Sequence, residues 1–259
     1  MPHNQVAIVV PCYNEAERFD LGAFGRFLTS NDSVFFVLVN DGSSDDTLTV
    51  LHTLAEGYSD RVMILDLQPN KGKAEAVRLG LLAACERAEI VGFWDADLAT
   101  PLDVVPQLVS ILHSRPQIQW VLGSRVKLLG RNIDRNELRH YLGRVFATGA
   151  SITLKLGVYD TQCGAKLFRV TPLLRQLLQT PFVTRWVFDV ELIARLIQAS
   201  RQLGAPDPKE ILFEAPLNQW RDVAGSKVRP TDFLRSGGEL ARIWWRYLRK
   251  SRPHGNRLT

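Results

Sequence analysis

Glu89-Ile90-Val91-Gly92-Phe93-Trp94-Asp95-Ala96-Asp97 is the stretch on which the fold turns. Its first six residues are a short, nearly uncharged apolar run, the pattern of a strand buried on both faces. It ends in two carboxylates. Asp95 and Asp97 are two residues apart, so in an extended segment they lie on one face. Paired carboxylates at a strand end suit a hard divalent cation. Oxygen ligands favour Mg²⁺ or Mn²⁺, which commonly accompany a substrate diphosphate. An isolated Asp-x-Asp also occurs as an ordinary polar turn, so its surroundings decide.

Outward from this stretch, apolar runs alternate with helical patterns. Val6–Val10, Val34–Asn40 and Val62–Leu65 read as strands before it, and Trp120–Gly123 as one after it. Phe19, Phe24, Phe27 and Leu28 recur at helical spacing, as do Ala74, Val77, Leu81 and Cys85. Ser43 or Ser44 is the expected cap of a helix running to about Gly57. Strand–helix alternation of this kind predicts an α/β fold with a mainly parallel central sheet flanked by helices. Ligands of such sheets bind beyond the carboxyl ends of the strands. Tyr13-Asn14-Glu15, Asp41-Gly42-Ser43-Ser44 and Asp95-Ala96-Asp97 all come directly after strands and should converge on one rim.

The second half is less regular. It suggests helices over Asn136–Leu156 and Val187–Ser200, strands over Cys163–Arg169 and Ile211–Phe213, and a turn at Gly204–Pro208. No repeat or flexible linker divides the chain. The expected organisation is one domain over 1–235 and a basic amphipathic tail over 236–259.

The 259 residues are 46% hydrophobic and 23% charged, enough apolar material for a full core. The longest stretch without Asp, Glu, Lys or Arg is Met1–Asn14, shorter than the roughly 20 apolar residues that span a bilayer. No secretory signal is visible, and any membrane contact is expected to be peripheral or through a partner. Cys12, Cys85 and Cys163 have no metal-ligand spacing and read as free thiols. The net charge of +5 is uneven: residues 221–259 hold ten Lys/Arg against three Asp/Glu. That tail points to an anionic surface or substrate. No nucleic-acid module accompanies it, so nucleic acid is not an expected partner.

Four ordered motifs are specific: Pro11-Cys12-Tyr13-Asn14-Glu15, Asn40-Asp41-Gly42-Ser43-Ser44-Asp45-Asp46-Thr47, Asn70-Lys71-Gly72-Lys73 and Asp95-Ala96-Asp97. Together they resemble the successive motifs of family-2 inverting glycosyltransferases. Gly123-Ser124-Arg125, the segment from Asp160 to Phe168, the segment from Arg185 to Leu192, and Gly225-Ser226-Lys227 are similar to the dolichyl-phosphate β-glucosyltransferase branch. The similarity runs from about Val6 to about Leu248.

The resemblance implies a single GT-A fold and a nucleotide-sugar donor. Pro11, Tyr13 and Glu15 would line the base pocket and Asp41 would contact the nucleoside. Asp97 would hold the metal, with Asp95 on ribose or metal. Relatives that transfer mannose often carry Gln two residues after the second Asp; Ala99 stands here, which matches the glucosyl branch and leaves a third side-chain ligand unassigned. Lys71 and Lys73 would hold phosphate or fix Asp41. Ser226 and Lys227 would close over the diphosphate. Arg125 and Arg139 would hold an acceptor phosphate. Asp160, Gln162 and Asp189 would line the sugar pocket. Asp189 has two other roles open to it, as acceptor base or as helix cap.

The expected activity is therefore metal-dependent transfer of glucose from UDP-glucose to a polyisoprenyl phosphate at the cytoplasmic membrane face, with Mg²⁺ or Mn²⁺ as cofactor. Alternatives are another nucleotide-hexose such as GDP-mannose, or a soluble hydroxyl acceptor. A nucleotidyltransferase is a rival, but the Gly-rich start usual there is absent. The intact Asp95/Asp97 pair argues against a non-catalytic nucleotide-sugar binder. In the tail, Leu240, Ile243, Trp244, Tyr247 and Leu248 form one helical stripe opposite Arg242, Arg246, Arg249 and Lys250. Such a helix either packs on the core or lies on anionic lipid.

Overall fold

The structure, a computed structural model, describes residues 4–134, 137–223 and 230–249, without the side chains of 4, 137–140 and 230–234. Strands β1 (Asn4–Cys12), β2 (Val34–Asp41), β3 (Val62–Leu67), β4 (Ala88–Trp94), β5 (Trp120–Ser124), β7 (Ala165–Arg169) and β8 (Leu212–Pro216) form one sheet in the order β3-β2-β1-β4-β7-β5-β8. All its pairings are parallel except those of β7, which runs antiparallel to both neighbours. The expected α/β sheet is present, with one reversed strand. Two short strands, β6 (Asn132–Asp134) and β9 (Gln219–Arg221), pair beside it.

The near-continuous apolar strands are explained by helices on both faces. In β1, Ala7 and Val9 point into one buried cluster, while Val6, Ile8, Val10 and Cys12 point into the other. The first cluster sits under α3 (Lys73–Ala84), α6 (Pro172–Gln179) and α7 (Phe188–Leu203). The second sits under α1 (Leu21–Ser30), α2 (Thr47–Gly57) and α4 (Val105–Ser114). Each fully buried aliphatic side chain contributes roughly 1.5–3 kcal/mol relative to exposure.

Local differences from expectation have physical reasons. Helix α2 starts at Thr47 after Asp46, not after Ser43 or Ser44. Those serines instead bind the loop after β1: Asn14 N–H donates to Ser43 Oγ (3.0 Å), and Ser44 N–H to Asn14 Oδ1 (2.8 Å). Helices α4 and α6 lie outside the expected elements, although Thr171-Pro172 is a readable start. Thr171 Oγ1 accepts from Leu174 N–H at 3.1 Å, and Pro172 needs no partner at the first helical position. Helix α5 covers Glu137–Leu154 and α8 is a single turn, Pro208–Ile211.

Helix α9 (Pro230–Ile243) runs across position 235 and continues into a wider final turn, Trp244–Leu248. Ile243 and Leu248 are buried in the α3–α6–α7 cluster, with Leu240 and Tyr247 packed against it. The expected stripe thus docks on the core, with one departure: Trp244 is exposed beside Trp245. No described helix is long and apolar enough to cross a membrane.

Candidate active site

The loops beyond β1, β2, β4 and β5 enclose a cavity of about 540 Å³. Pro11, Tyr13, Glu15, Asp41, Lys73, Asp95, Asp97, Arg125, Asp160, Gln162 and Asp189 all line it. The expected convergence on one rim is what the structure contains, as the sheet topology requires.

The end of the cavity beyond β1 and β2 is stitched together by backbone amides. Asp41 is buried at the end of β2, and its carboxylate accepts from Lys71 N–H (2.7 Å), Gly72 N–H (2.9 Å) and Asn70 Nδ2 (3.0 Å). Asn70 Nδ2 also donates to the Asp41 carbonyl at 2.7 Å. Gly42 has φ +64, and a Cβ there would strike the Asn70 backbone, so glycine is required for the approach. Asp41 therefore shapes the loop before α3. Lys71 contributes its backbone N–H; its side chain is exposed and is not among the cavity-lining groups. Glu15 sits beside Pro11 and Tyr13 and grips Arg18 through two bonds of 2.7 and 2.9 Å.

Lys73, the first residue of α3, reaches Asp95 Oδ1 at 2.5 Å. Burial alone would raise the Asp95 pKa, but the Lys73 charge and hydrogen bond, with help from Lys166 and Arg125, hold it low. Asp97 differs. Burial and the neighbouring Asp95 charge push its pKa up, and Ala99 N–H at 3.0 Å is the hydrogen-bond donor that opposes this. The Lys73 and Arg18 charges also oppose it without reversing it, so Asp97 is the less compensated carboxylate of the pair. No group of three or more Asp, Glu, His or Cys suited to a metal occurs among the described residues. An ion here would be held by the Asp95/Asp97 oxygens and otherwise by oxygens of substrate and water, the manner of Mg²⁺ and Mn²⁺.

The opposite end is built from two ion pairs. Arg125, just past β5, forks onto Asp160 through Nε (2.7 Å) and Nη2 (2.8 Å), and its backbone N–H adds a third bond at 3.1 Å. Against the burial of both groups, this pairing holds the Asp160 carboxyl far below the usual range and the guanidinium above its own. Glu214 of β8 accepts from the N–H groups of Tyr159 (2.7 Å) and Asp160 (2.8 Å), fixing that loop. Asp189, at the start of α7, lies 2.8 Å from buried Lys166 of β7. Burial pushes the Asp189 pKa up, and Lys166 only partly offsets it. Gln162 lies between the pairs, with Nε2 at 3.5 Å from Asp189. Gly164 is indispensable here, because a Cβ would overlap the Asp95 carboxylate.

Ser226 and Lys227 lie outside the described residues, as does the Arg139 side chain. The flanks of the Ser226–Lys227 segment do reach the site: Val223 and Ser236 both line the cavity, and Arg221 N–H bonds the Ala99 carbonyl at 3.0 Å. Sequence reasoning gave no role to Lys166, Arg18, Glu214 or Arg144. Lys166 had a signal, a cation inside an apolar strand. Arg144 lines the cavity from α5, with its guanidinium 3.7 Å over the Tyr159 ring.

The Glycosyl transferase family 2 profile matches residues 7–175, more than half of the chain. The chain belongs to glycosyl transferase family 2. It is 34% identical over 268 residues to dolichyl-phosphate beta-glucosyltransferase of Drosophila melanogaster, covering 95% of this chain and 76% of that one. This family member is thus a hexosyltransferase resembling the dolichyl-phosphate β-glucosyltransferases. Its fold is that of glucosyl-3-phosphoglycerate synthase from Mycobacterium tuberculosis, solved with UDP: TM-score 0.63, 20% identity, 93% of this chain and 80% of that one. A mannosyltransferase from Pyrobaculum calidifontis, solved with GDP-Man and Mn²⁺, has the same TM-score of 0.63 at 18% identity, with coverage of 96% and 65%. The GT-A fold expected from the motifs is confirmed by these neighbours.

Proposed function

We propose that this transferase moves glucose from UDP-glucose to a polyisoprenyl phosphate with a divalent cation at Asp95 and Asp97. The observation that carries the acceptor assignment is the cationic lining of the cavity at the sugar end, where each carboxylate already has a basic partner. Asp160 is engaged by Arg125 and Asp189 by Lys166. A hydroxyl acceptor needs a carboxylate to take its proton. A phosphate acceptor arrives ionised and needs only to be placed in line with the anomeric carbon. Arg144 lines the cavity as a cation for it, Arg125 adds the side of its guanidinium outside the fork onto Asp160, and Arg139 is a further candidate from α5.

At the donor end, Pro11, Tyr13 and Glu15 flank the base, and the Asp41-shaped loop presents Lys73 near the diphosphate. Gln162 and Asp189 face the sugar. Ser226 and Lys227 would close over the diphosphate from the Val223 and Ser236 flanks. The cation would offset charge on the departing nucleoside diphosphate. The relatives named above support glucose and the lipid phosphate.

Membrane contact is assigned to the final turn. Trp244 and Trp245 are exposed, and the Arg249 guanidinium lies 4.0 Å over the Trp245 ring. Exposed indoles beside arginines suit an anionic interface. The test is incubation with Mn²⁺ or Mg²⁺, radiolabelled UDP-glucose and a short polyisoprenyl phosphate, with organic extraction of the products. Organic-phase label that EDTA abolishes is the expected result. UDP release without organic label would overturn the acceptor.

A further inference from the structure

Glu239 is a half-buried acid on α9 whose carboxylate does not face solvent ions but a run of backbone. Its Oε1 accepts from Arg185 N–H at 3.1 Å, and its Oε2 accepts from Trp186 and Val187 N–H, each at 3.1 Å. These three amides lead directly into α7. Val187 caps that helix without a side-chain cap bond, so the Glu239 charge stands beside the positive end of α7. The next two residues, Phe188 and Asp189, line the cavity, as does Trp186. Ser236, one turn before Glu239 on α9, lines it as well.

The same segment is gripped from inside the protein. Fully buried Glu191 accepts from Val183 N–H (3.0 Å), Thr184 N–H (2.9 Å) and Thr184 Oγ1 (2.8 Å). The stretch from Val183 to Val187 is therefore suspended between two carboxylates. One belongs to α7 itself. The other arrives from the C-terminal helix, the element whose continuation exposes Trp244 and Trp245. The nucleotide end is held separately, by Asp41 and the amides of the loop before α3.

We infer that Glu239 is a positioning residue: it holds the Trp186–Asp189 wall of the cavity in place and so ties the sugar and acceptor end of the site to the C-terminal helix. The inference rests on the reading of this cavity as a nucleotide-sugar and lipid-phosphate site. It makes the C-terminal helix part of the transfer machinery and separates acceptor handling from donor binding.

The test compares the intact protein with Glu239→Ala and Glu239→Gln. Three quantities are measured: UDP affinity by calorimetry, kcat and KM for a short polyisoprenyl phosphate, and hydrogen exchange at the Arg185, Trp186 and Val187 amides. UDP affinity should stay within about two-fold, because the cradle is elsewhere. Acceptor kcat/KM should fall roughly ten-fold or more in the Ala variant. Gln, which keeps one acceptor oxygen, should recover part of that loss. Exchange at the three amides should rise in both. Unchanged acceptor kinetics, or UDP affinity falling in step with transfer, would overturn the inference. If the unaltered protein transfers no sugar to lipid phosphate, the acceptor reading fails by itself. The exchange measurement then still decides the role of Glu239: unchanged protection at the three amides would refute it.

Discussion

Asp41→Asn separates two jobs that the same residue could perform. The carboxylate takes three N–H donors from the loop before α3, at 2.7, 2.9 and 3.0 Å. An amide has one acceptor oxygen, and its NH₂ would face the remaining backbone N–H. With the oxygen in the Oδ2 position, the bonds to Gly72 and Asn70 survive and the shortest one, to Lys71, is lost. A hydrogen bond to a charged group contributes about 1.5–3 kcal/mol, and stranding a buried donor costs a similar amount. The expected destabilisation is about 3 kcal/mol. For a chain of this size that lowers Tm by roughly 6–12 °C. UDP affinity should fall as well, because the loop carrying Lys73 loses its anchor. The assay pairs thermal unfolding with UDP calorimetry. Asn70→Ala, which removes two bonds to Asp41, should reproduce both effects in milder form. Lost UDP binding at an unchanged Tm would refute the reasoning and make Asp41 a direct nucleoside ligand.

The remaining predictions use the same electrostatics. Asp97→Asn removes a carboxylate whose pKa burial and Asp95 raise, so it should raise the Tm of the metal-free protein at pH 7 while abolishing Mn²⁺-dependent UDP binding. The sign comes from linkage: a carboxyl raised in the folded state costs stability once pH exceeds its unfolded value of about 4. By the same shift, Mn²⁺ affinity should weaken as pH falls toward the raised Asp97 value, which a Mn²⁺ titration from pH 8 to 5 would reveal. Asp160→Asn leaves Arg125 buried without its partner and should cost about 3–5 kcal/mol in urea unfolding, with loss of transfer. The native Asp160 pKa is depressed, so its stabilisation is present above about pH 4 and disappears as acid drives pH toward the folded value; Asp160→Asn should flatten that acid limb. Trp244→Ala with Trp245→Ala should weaken sedimentation with anionic vesicles and leave UDP affinity unchanged, whereas unaltered vesicle binding would remove the final turn as the membrane contact.

Much of this was legible in the sequence because the informative signals are local. The run Val34–Asn40, apolar up to Asn40 and rich in Val and Phe, reads as a strand with a layer on each side, and the structure buries all of it. Once strands and helices alternate, topology places the loop after each parallel strand on one rim, so Tyr13, Asp41 and Asp97 converge on the strength of sequence alone. The partners of charges could not be read in the same way. Asp160 is 35 residues from Arg125, and helix α6 separates Lys166 from Asp189. No periodicity links positions so distant. Their pairing changes the chemistry, because it ties Asp160 to Arg125 and sets Lys166 beside Asp189, the residue read as a candidate acceptor base. Ser43 and Ser44 show the same limit at short range. As isolated residues they are helix caps, and their actual task depends on Asn14, whose loop returns beside them only when β1 and β2 pair.

Glu239 is the extreme case. In sequence it is one acid within a basic amphipathic tail, and amphipathicity alone explains why α9 docks. Its function requires knowing that backbone N–H groups of Arg185, Trp186 and Val187 lie opposite. Backbone donors leave no mark in residue identity, so no pattern of side chains announces them. The same holds for Asp41, whose main partners are also amides. In both, a single carboxylate fixes a loop that lines the cavity, one beyond β1 and β2, where the donor nucleotide is proposed to bind, and one at the start of α7, where the acceptor is proposed to bind. Substitutions at these two positions should therefore have opposite kinetic signatures: Asp41 variants weaken the donor side first, and Glu239 variants the acceptor side. A shared signature would mean that the cavity responds as one rigid body and that its two ends are not held independently.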